Sequence, residues 1–582
     1  MEAQKKRWKV KDLPMAESAT LRDALNIHPL ICALLWDRGI RTYNEAKSYF
    51  RPGVSDLHDP FLMRDMQAAV NRILAAIDAR EKILIYGDYD VDGTTSVAIV
   101  FDFLQQIYDP AMLEYYIPNR YREGYGLSAQ GIEFAVENGH SLMILLDCGI
   151  KSVDLIAKAR SLGIDTIICD HHFPGESLPD AVAILNPKQK ECNYPYADLC
   201  GCGVGFKLIQ AIAIYQKLPQ EIYLPYLELV ATAIAADIVP ITGENRTLAF
   251  LGIKQVNTAP STGIKALMEL SRSEKQIQIS NLAFMIGPRI NAAGRMDDAK
   301  KAVSLFIEKD LEKARAIAGI LQIDNTSRKE ADASITIEAL DKIKHDPTYQ
   351  SKKSTVVFSS TWHKGVIGIV ASRLIDKFYR PTVVLTQSGE LLAGSARSIP
   401  GFNIHDCLER CSDLLVSFGG HYFAAGMTLR PENLEAFCNR FESIAQEELT
   451  SDMLIPELTI DGELELGDIS NSYFNIINQM EPFGPENPKP VFCIRNLINL
   501  GCKIVKEDHV RFELGKAGFR INGIGFNMAE LFKTLNEPKE LDIICTLDEN
   551  NYRGNTSIQL RVIDFDIAGK RRDQLLLVPE HI

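Results

Sequence analysis

Three apolar stretches with little alternation, ILIYG before Asp88, LMILL before Asp147 and TIIC before Asp170, read as strands buried on both faces, as in a parallel sheet covered by helices. A fourth run, ATAIAA before Asp237, is read the same way. Helical periodicity in SVAIVFDFLQQIY and GIEFAVENG alternates with these runs, which is the βαβ signature of a doubly wound sheet. The expected fold class is α/β: two α/β domains joined by a long helix, then a C-terminal β-barrel. Residues 1–80 read as a helical lead-in and 81–296 as the first α/β domain. Residues 297–345, free of proline up to Lys344, read as a linking helix with Asp310 or Asn325 as a break, and 346–450 as a smaller α/β domain. Residues 451–582 carry short alternating strands that suit a five-stranded oligonucleotide-binding barrel.

The residues at the ends of the four runs matter more than the runs themselves. Asp88, Asp90 and Asp92 come after the first, Asp147 after the second, Asp170, His171 and His172 after the third, and Asp237 after the fourth. Ligands bind beyond the carboxyl ends of strands in open α/β sheets, so all eight groups are expected to converge on one pocket. A single Asp after a strand is commonly a cap or turn residue, but four coincident strand ends point to a site. Clustered carboxylates raise one another's pKa and cannot stay ionised in a cleft without compensating positive charge. Oxygen ligands mixed with imidazoles favour manganese or magnesium over a thiolate-rich structural zinc. In GDYDVDG, alternate residues of an extended segment share a face, so two or three carboxylates can point at one centre. Gly93 then permits a turn, with Thr94 to Ser96 as cap and first turn of a helix.

The ordered motifs GDYDVDG, LDCG, DHH and ADIVP resemble the DHH phosphoesterase superfamily. IPNRYREGYGLS, CGVGFKL, GPRINAAGRM, GSARS, FGGHYFAAGMTL and FGPENPKPVF are similar, in order, to its bacterial RecJ branch. The resemblance spans nearly the whole chain. It implies a DHH domain, a DHHA1 substrate-binding domain and an OB fold. It also implies a 5′→3′ exonuclease specific for single-stranded DNA, which hydrolyses phosphodiesters with two Mn²⁺ or Mg²⁺ ions, releases 5′-mononucleotides, and acts in DNA repair and recombination. Asp147 would bridge the ions, with Asp88 and Asp90 toward one and Asp92, His171 and Asp237 toward the other. His172 would act on the phosphate or leaving group, and Asp170 would orient the imidazoles. Pyrophosphatase relatives place a histidine where this chain has Tyr86, so an Asp such as Asp88 must make up the coordination. Substrate-binding residues would be Arg120, Tyr125, Arg289, Arg295, Ser395, Arg397, Ser398, Gly420 and His421. For Arg397 the chemistry stands without the family, since a guanidinium forks onto two phosphate oxygens. Single-strand-binding protein and a DNA helicase are the implied partners of a monomer. The alternatives are a DHH phosphodiesterase for short oligonucleotides or dinucleotides, and a non-enzymatic DHH-type replication scaffold.

Composition adjusts this picture in three ways. At 582 residues the chain must divide into several domains. Its formal net charge of -13 is a poor footprint for a nucleic-acid binder, so binding must be local. Basic side chains do concentrate at Arg120 and Arg122, at Arg289 and Arg295, and at Lys503, Lys506, Arg511, Lys516 and Arg520. Arg511-Phe512, Phe519-Arg520 and Tyr552-Arg553 pair charge with a stacking face. The 12 cysteines form no regular framework, the first residues lack the apolar core of a signal peptide, and no window is long and apolar enough to span a bilayer. A reducing, cytoplasmic setting is expected.

Overall fold

The computed structural model describes residues 6–271, 276–296, 298–536, 538–552 and 555–570. It divides into two compact units, one of Arg38–Ser327 with Gln479–Lys489, the other of Met1–Asp37, Arg328–Asn478 and Pro490–Ile582.

In the first unit, strands Leu113–Tyr116, Ile83–Gly87, Leu142–Leu146, Asp165–Cys169 and Ala183–Leu185 lie side by side in that order, all parallel. Alternate residues enter different cores. Ile83, Ile85, Leu142, Ile144 and Leu146 pack with helices Met66–Asp78, Val91–Leu104, Gly201–Tyr215 and Leu227–Asp237. Leu84, Tyr86, Met143 and Leu145 pack with helices Ala129–Glu137 and Val153–Ser161. Covered on both faces, the strands have no solvent side on which polar residues would alternate, which is why the runs are continuous.

The fourth run is not a strand. ATAIAAD lies inside the α-helix Leu227–Asp237, and Asp237 is its last residue. Alanine has the highest helix propensity, and four alanines in seven residues decide the local structure where β-branched residues are few. Asp237 therefore reaches the site from a helix C-terminus, not from a strand end.

The second unit holds a five-stranded sheet in the order Leu415–His421, Ala424–Leu429, Leu391–Arg397, Thr382–Ser388, Thr355–Ser359, antiparallel except for its last pair. One face packs on Phe437 and Phe441 of helix Leu434–Glu448, the other on helix Ile367–Phe378. Five strands, Phe492–Asn499, Glu540–Tyr552, Asn555–Ile567, Phe519–Gly525 and His509–Lys516, close into a barrel through pairing of Ile498 with Gly515. Phe512, Leu514, Ile543, Leu547, Leu560 and Phe565 fill it.

Three departures arise from long-range pairing. The lead-in divides near residue 37, because Arg7–Val10 forms a parallel pair with Glu457–Ile460 and buried Trp8 donates from Nε1 to Asp564 at 2.7 Å. Gln479–Lys489 belongs to the first unit: Arg246 donates to the Met480 and Glu481 carbonyls, and Ile241 N donates to the Pro485 carbonyl at 2.8 Å. The linking segment is two helices, Lys300–Ile307 and Leu311–His345. Asp310 makes the break, its Oδ1 accepting from Lys313 N at 2.9 Å, while buried Asn325 continues the helix. In the long helix Ala314, Ala318 and Leu321 join the core of the first unit, and Ile335, Ala339 and Ile343 that of the second. No helix among the described residues is long and apolar enough to cross a membrane.

Candidate metal centre

The aspartate triplet is not extended. Asp88 follows strand Ile83–Gly87, Asp90 is the N-cap of helix Val91–Leu104 with its Oδ1 accepting from Gly93 N at 3.0 Å, and Asp92 lies in the first turn. Asp is a preferred N-cap, so it takes the role expected of Thr94 to Ser96, whose hydroxyls instead donate back to the carbonyls of Asp90, Val91 and Asp92. Gly93 is required by closeness, since a Cβ there would lie 2.4 Å from the Asp88 carbonyl oxygen.

Asp92 is buried against the start of helix Gly201–Tyr215, where its two oxygens accept from Gly201 N and Cys202 N at 2.7 Å each. Free amides at a helix N-terminus favour an anion, so this helix holds the carboxylate. Gly201 also clears Asp147, whose side-chain atoms would lie 2.7 Å from an added Cβ. Asp147 itself has φ 59°, a left-handed conformation that non-glycine residues adopt only where the surroundings fix it.

His171 is the meeting point. Its Nε2 lies 3.2 Å from Asp147 Oδ1, 3.6 Å from Asp237 Oδ2 and 3.7 Å from Asp92 Oδ2. Ligand atoms of Asp92, His171 and Asp237 fall within 4.8 Å of one another, as do those of Asp147, His171 and His172. Asp88 and Asp90 belong to neither group; Asp88 is buried beside them and accepts from Gly126 N at 3.1 Å.

These groups disfavour their own charges. Burial, then neighbouring carboxylates, hold Asp88, Asp147 and Asp237 well above the usual carboxylate range and push Asp92 up to about 7. Burial and the neighbouring His172 bring His171 down to about 3, leaving it a neutral imidazole able to ligate. Asp88 Oδ2 and Asp147 Oδ1 are buried and accept no hydrogen bond. Orphaned acceptors among repelling carboxylates, with one neutral imidazole, are the donor set of hard divalent cations, so the residues fit Mn²⁺ or Mg²⁺. Cys148, Cys169, Cys200 and Cys202 are buried nearby with thiol pKa values pushed up, chiefly by burial, which keeps them protonated.

His172 is held differently. Its Nδ1 lies 2.7 Å from Asp170 Oδ1 and its Nε2 lies 3.2 Å from the Tyr125 hydroxyl, which donates to the Asp147 carbonyl at 3.2 Å. The ionised Asp170 accepts from the Nδ1 proton, which fixes the orientation of the ring. Burial would lower His172, but Asp170 outweighs it and the pKa is raised. Burial likewise works to raise Asp170, yet His172 and the backbone amides that it accepts bring it down to about 2. Asp170 thus orients His172 alone of the two imidazoles. Tyr86 is no ligand: it is buried, its hydroxyl donating to the Gly126 carbonyl at 2.8 Å.

The expected substrate residues fall into two sets. In the first unit, Arg120 lies 4.9 Å from the Tyr89 ring centroid, beside a cavity of about 280 Å³ that Arg122 and Lys300 also line. The Arg295 carbonyl accepts from the Tyr121 hydroxyl at 2.5 Å. Arg289 is occupied, donating from Nε to Gln322 at 2.8 Å and to the Met285 carbonyl, so it clamps the π-helical turn Leu282–Ile286 to the long helix. In the second unit, Arg397 donates to Ser395 Oγ at 3.1 Å and the Ala396 carbonyl at 2.8 Å. Among the described residues no carboxylate lies within ion-pair distance of its half-buried guanidinium, whose pKa burial lowers. Ser398 donates to the Phe402 carbonyl at 2.6 Å, while Gly420 and exposed His421 end strand Leu415–His421, opposite Ala425 and Ala424.

In the barrel, Phe512 is core and Phe519 is exposed; Arg553 lies outside the described residues and Tyr552 is described only as the end of its strand. Sequence reasoning missed Phe526, 45% exposed, with Arg561 5.1 Å from its ring centroid and His509 edge-on at 5.2 Å. The three are brought together only by strand pairing. It also missed Asn186 and Lys188, although an Asn-Pro pair after an apolar run marks a loop beside the site.

Family models match residues 82–234 (DHH family, N-terminal domain), 351–447 (DHHA1 domain) and 460–564 (RecJ OB domain). A relative from Bacillus subtilis, named single-stranded-DNA-specific exonuclease RecJ, is 36% identical over 98% of this chain and 73% of its own length. The chain belongs to the RecJ family. The crystal structure of RecJ from Thermus thermophilus in complex with Mn²⁺ matches with TM-score 0.82 at 26% identity, over 96% of this chain and 79% of that one. The Mg²⁺ complex of the same protein matches with TM-score 0.77 at 25% identity, over 96% and 78%. RecJ structures thus hold the two cations that the donor set here suits.

Proposed function

We propose that this RecJ-family chain is a metal-dependent exonuclease that degrades single-stranded DNA from the 5′ end and releases 5′-mononucleotides. The observation that carries the reading is the buried meeting of Asp92, Asp147 and Asp237 on the neutral imidazole of His171. Asp147 would serve both ions, with Asp88 and Asp90 toward one and Asp92, His171 and Asp237 toward the other. Bound Mn²⁺ or Mg²⁺ supplies a nucleophilic water near neutral pH and offsets charge on the reacting phosphate. His172, oriented through Nδ1 by Asp170 and with Nε2 toward the Tyr125 hydroxyl, would turn Nε2 to a phosphate oxygen or to the departing 3′-oxygen when the strand displaces that contact. Arg120 and Arg295 supply positive charge beside Tyr89, and Arg289 contributes through the turn it clamps. Arg397 with Ser395, Ser398, Gly420 and His421 takes phosphate in the DHHA1 domain. The reading extends to repair and recombination in the cytoplasm, as a monomer working with single-strand-binding protein and a DNA helicase.

Digestion of a single strand labelled separately at each end, with Mn²⁺ or Mg²⁺, tests the core of this reading. The 5′ label is expected first, as a mononucleotide, with the 3′ label retained in shortening strands. Release from the 3′ end, or cleavage confined to dinucleotides, would reject it.

The barrel extends the grip on longer strands. Phe526→Ala combined with Arg561→Ala is expected to raise KM on long oligonucleotides by about 5-fold or more, with little change on very short ones. The salt slope of binding should fall by about 0.7 for the lost charge. Equal effects at both lengths would confine this cluster to a structural role. Truncation from Leu454 is a poor substitute, because it removes Met480, Glu481 and Pro485 from the catalytic unit.

A further inference from the structure

The three most exposed large apolar side chains among the described residues are Phe284, Ile238 and Phe173, at 80%, 72% and 70%. Two of them directly follow members of the metal centre, Phe173 after His172 and Ile238 after Asp237. Ile238 has φ 60°, costly for a β-branched residue. Phe284 stands on the π-helical turn Leu282–Ile286, next to Gly287, where an added Cβ would lie 3.4 Å from Ala236 Cβ. Scattered exposed apolar residues are ordinary, but their coincidence with the ligand positions is not.

Phe173 is also held in place. Lys188 Nζ lies 4.9 Å from its ring centroid and 3.6 Å from Asp198 Oδ1, with the lysine side chain only 15% exposed. The two residues occupy loops that leave the adjacent parallel strands Asp165–Cys169 and Ala183–Leu185. Fully buried Asn186 ties those loops together, donating from Nδ2 to the His172 carbonyl and accepting from Lys188 N, both at 2.8 Å. One amide side chain therefore joins the backbone of His172, which precedes Phe173, to that of Lys188. The lysine charge reaches the metal centre, acting on both His171 and Asp237.

We propose that Phe173 is a stacking platform for a nucleobase of the substrate strand next to the scissile phosphate, with Lys188 fixing the ring and adding positive charge at that nucleotide. The proposal rests on the reading of this chain as a nuclease of single strands, and it deepens that reading. Aromatic faces accept any base, but only an unpaired base can lie flat on a ring beside the ligands, so the platform contributes to discrimination against duplex. Ammonium over one face leaves the other open to the base.

The test uses the full chain with Mn²⁺ and a set of oligonucleotides carrying one abasic nucleotide at successive positions from the 5′ end. Phe173→Ala is expected to lower kcat/KM on the intact strand by about 5- to 140-fold, the range for loss of one base stack. One abasic position should impose the same loss on the unaltered protein and no further loss on Phe173→Ala. Phe173→Trp should restore the rate and Phe173→Leu should not, while bound manganese stays constant in all variants. Rates unchanged by Phe173→Ala, or losses that add at every abasic position, would overturn the platform. A separate binding arm places 2-aminopurine at the sensitive position, with Ca²⁺ replacing Mn²⁺. Quenching that disappears in Phe173→Ala supports the platform even if turnover of single strands fails, and equal quenching in both proteins rejects it whatever the turnover.

Discussion

Asp147→Asn is expected to reduce hydrolysis of single-stranded DNA by more than about 10²-fold at saturating Mn²⁺, beyond the low end of what one acid-base group contributes. Asn is the better substitution than Ala because position 147 has φ 59°, which Asn tolerates. The amide keeps the shape but withdraws the charge that would serve both ions, so bound metal measured by elemental analysis should also fall. Stability should move the other way. Burial and the charges of Asp92, Asp90 and Asp237 hold the Asp147 pKa well above its unfolded value. A carboxylate with a raised folded pKa costs stability at pH values above its unfolded pKa, so the metal-free Asn variant should melt at higher temperature at neutral pH. Activity above about one hundredth of the unaltered level would remove Asp147 from its central place.

Arg397→Ala is expected to weaken binding of single strands by about 30- to 3000-fold, the range for truncating one partner of a buried charged pair. The guanidinium sits between Ser395 and the start of helix Ile367–Phe378, where an added Cβ on Gly368 would lie 2.9 Å from Ser395 Oγ and 3.1 Å from Arg397 NH2. A half-buried cation with no carboxylate at ion-pair distance among the described residues is costly in the free protein and is offset when a phosphate arrives. Arg397→Lys should not recover binding, because a point charge cannot fork onto two oxygens. Metal content should be unchanged. Loss of bound metal in Arg397→Ala would show that the residue supports the metal centre instead of the strand.

Much of the metal centre is legible in the chain, for a reason visible in its strands. Parallel strands buried on both faces must be continuous apolar runs, and the residue after each run is delivered to the carboxyl edge of the sheet whatever the intervening helices contain. Asp88, Asp147, Asp170 and His171 are placed this way. Asp237 is found on a mistaken premise: its apolar run has the right composition for burial, but its alanines make a helix. Asp90 and Asp92 read as two carboxylates sharing the face of an extended segment, whereas capping by Asp90 turns the chain immediately and sends Asp92 into the amides of Gly201 and Cys202.

The sequence by itself determined the alternation of buried strands and helices, the convergence of acidic groups and imidazoles at the sheet edge, the chemistry of hard cations that such a set implies, and the order of domains that the motifs imply. These are local properties, since burial on two faces and clustered charge leave a composition and a period that can be read within a dozen residues. Only the tertiary structure decided which residues complete the site from afar. Gly201 and Cys202 hold Asp92 because a distant helix begins there; Asn186 joins two loops; Phe526, His509 and Arg561 meet through strand pairing; Trp8 finds Asp564. Such partners carry no local signature, because the free energy that selects them is realised only when the chain folds back on itself, across separations from 14 residues for Asn186 and His172 to 556 for Trp8 and Asp564.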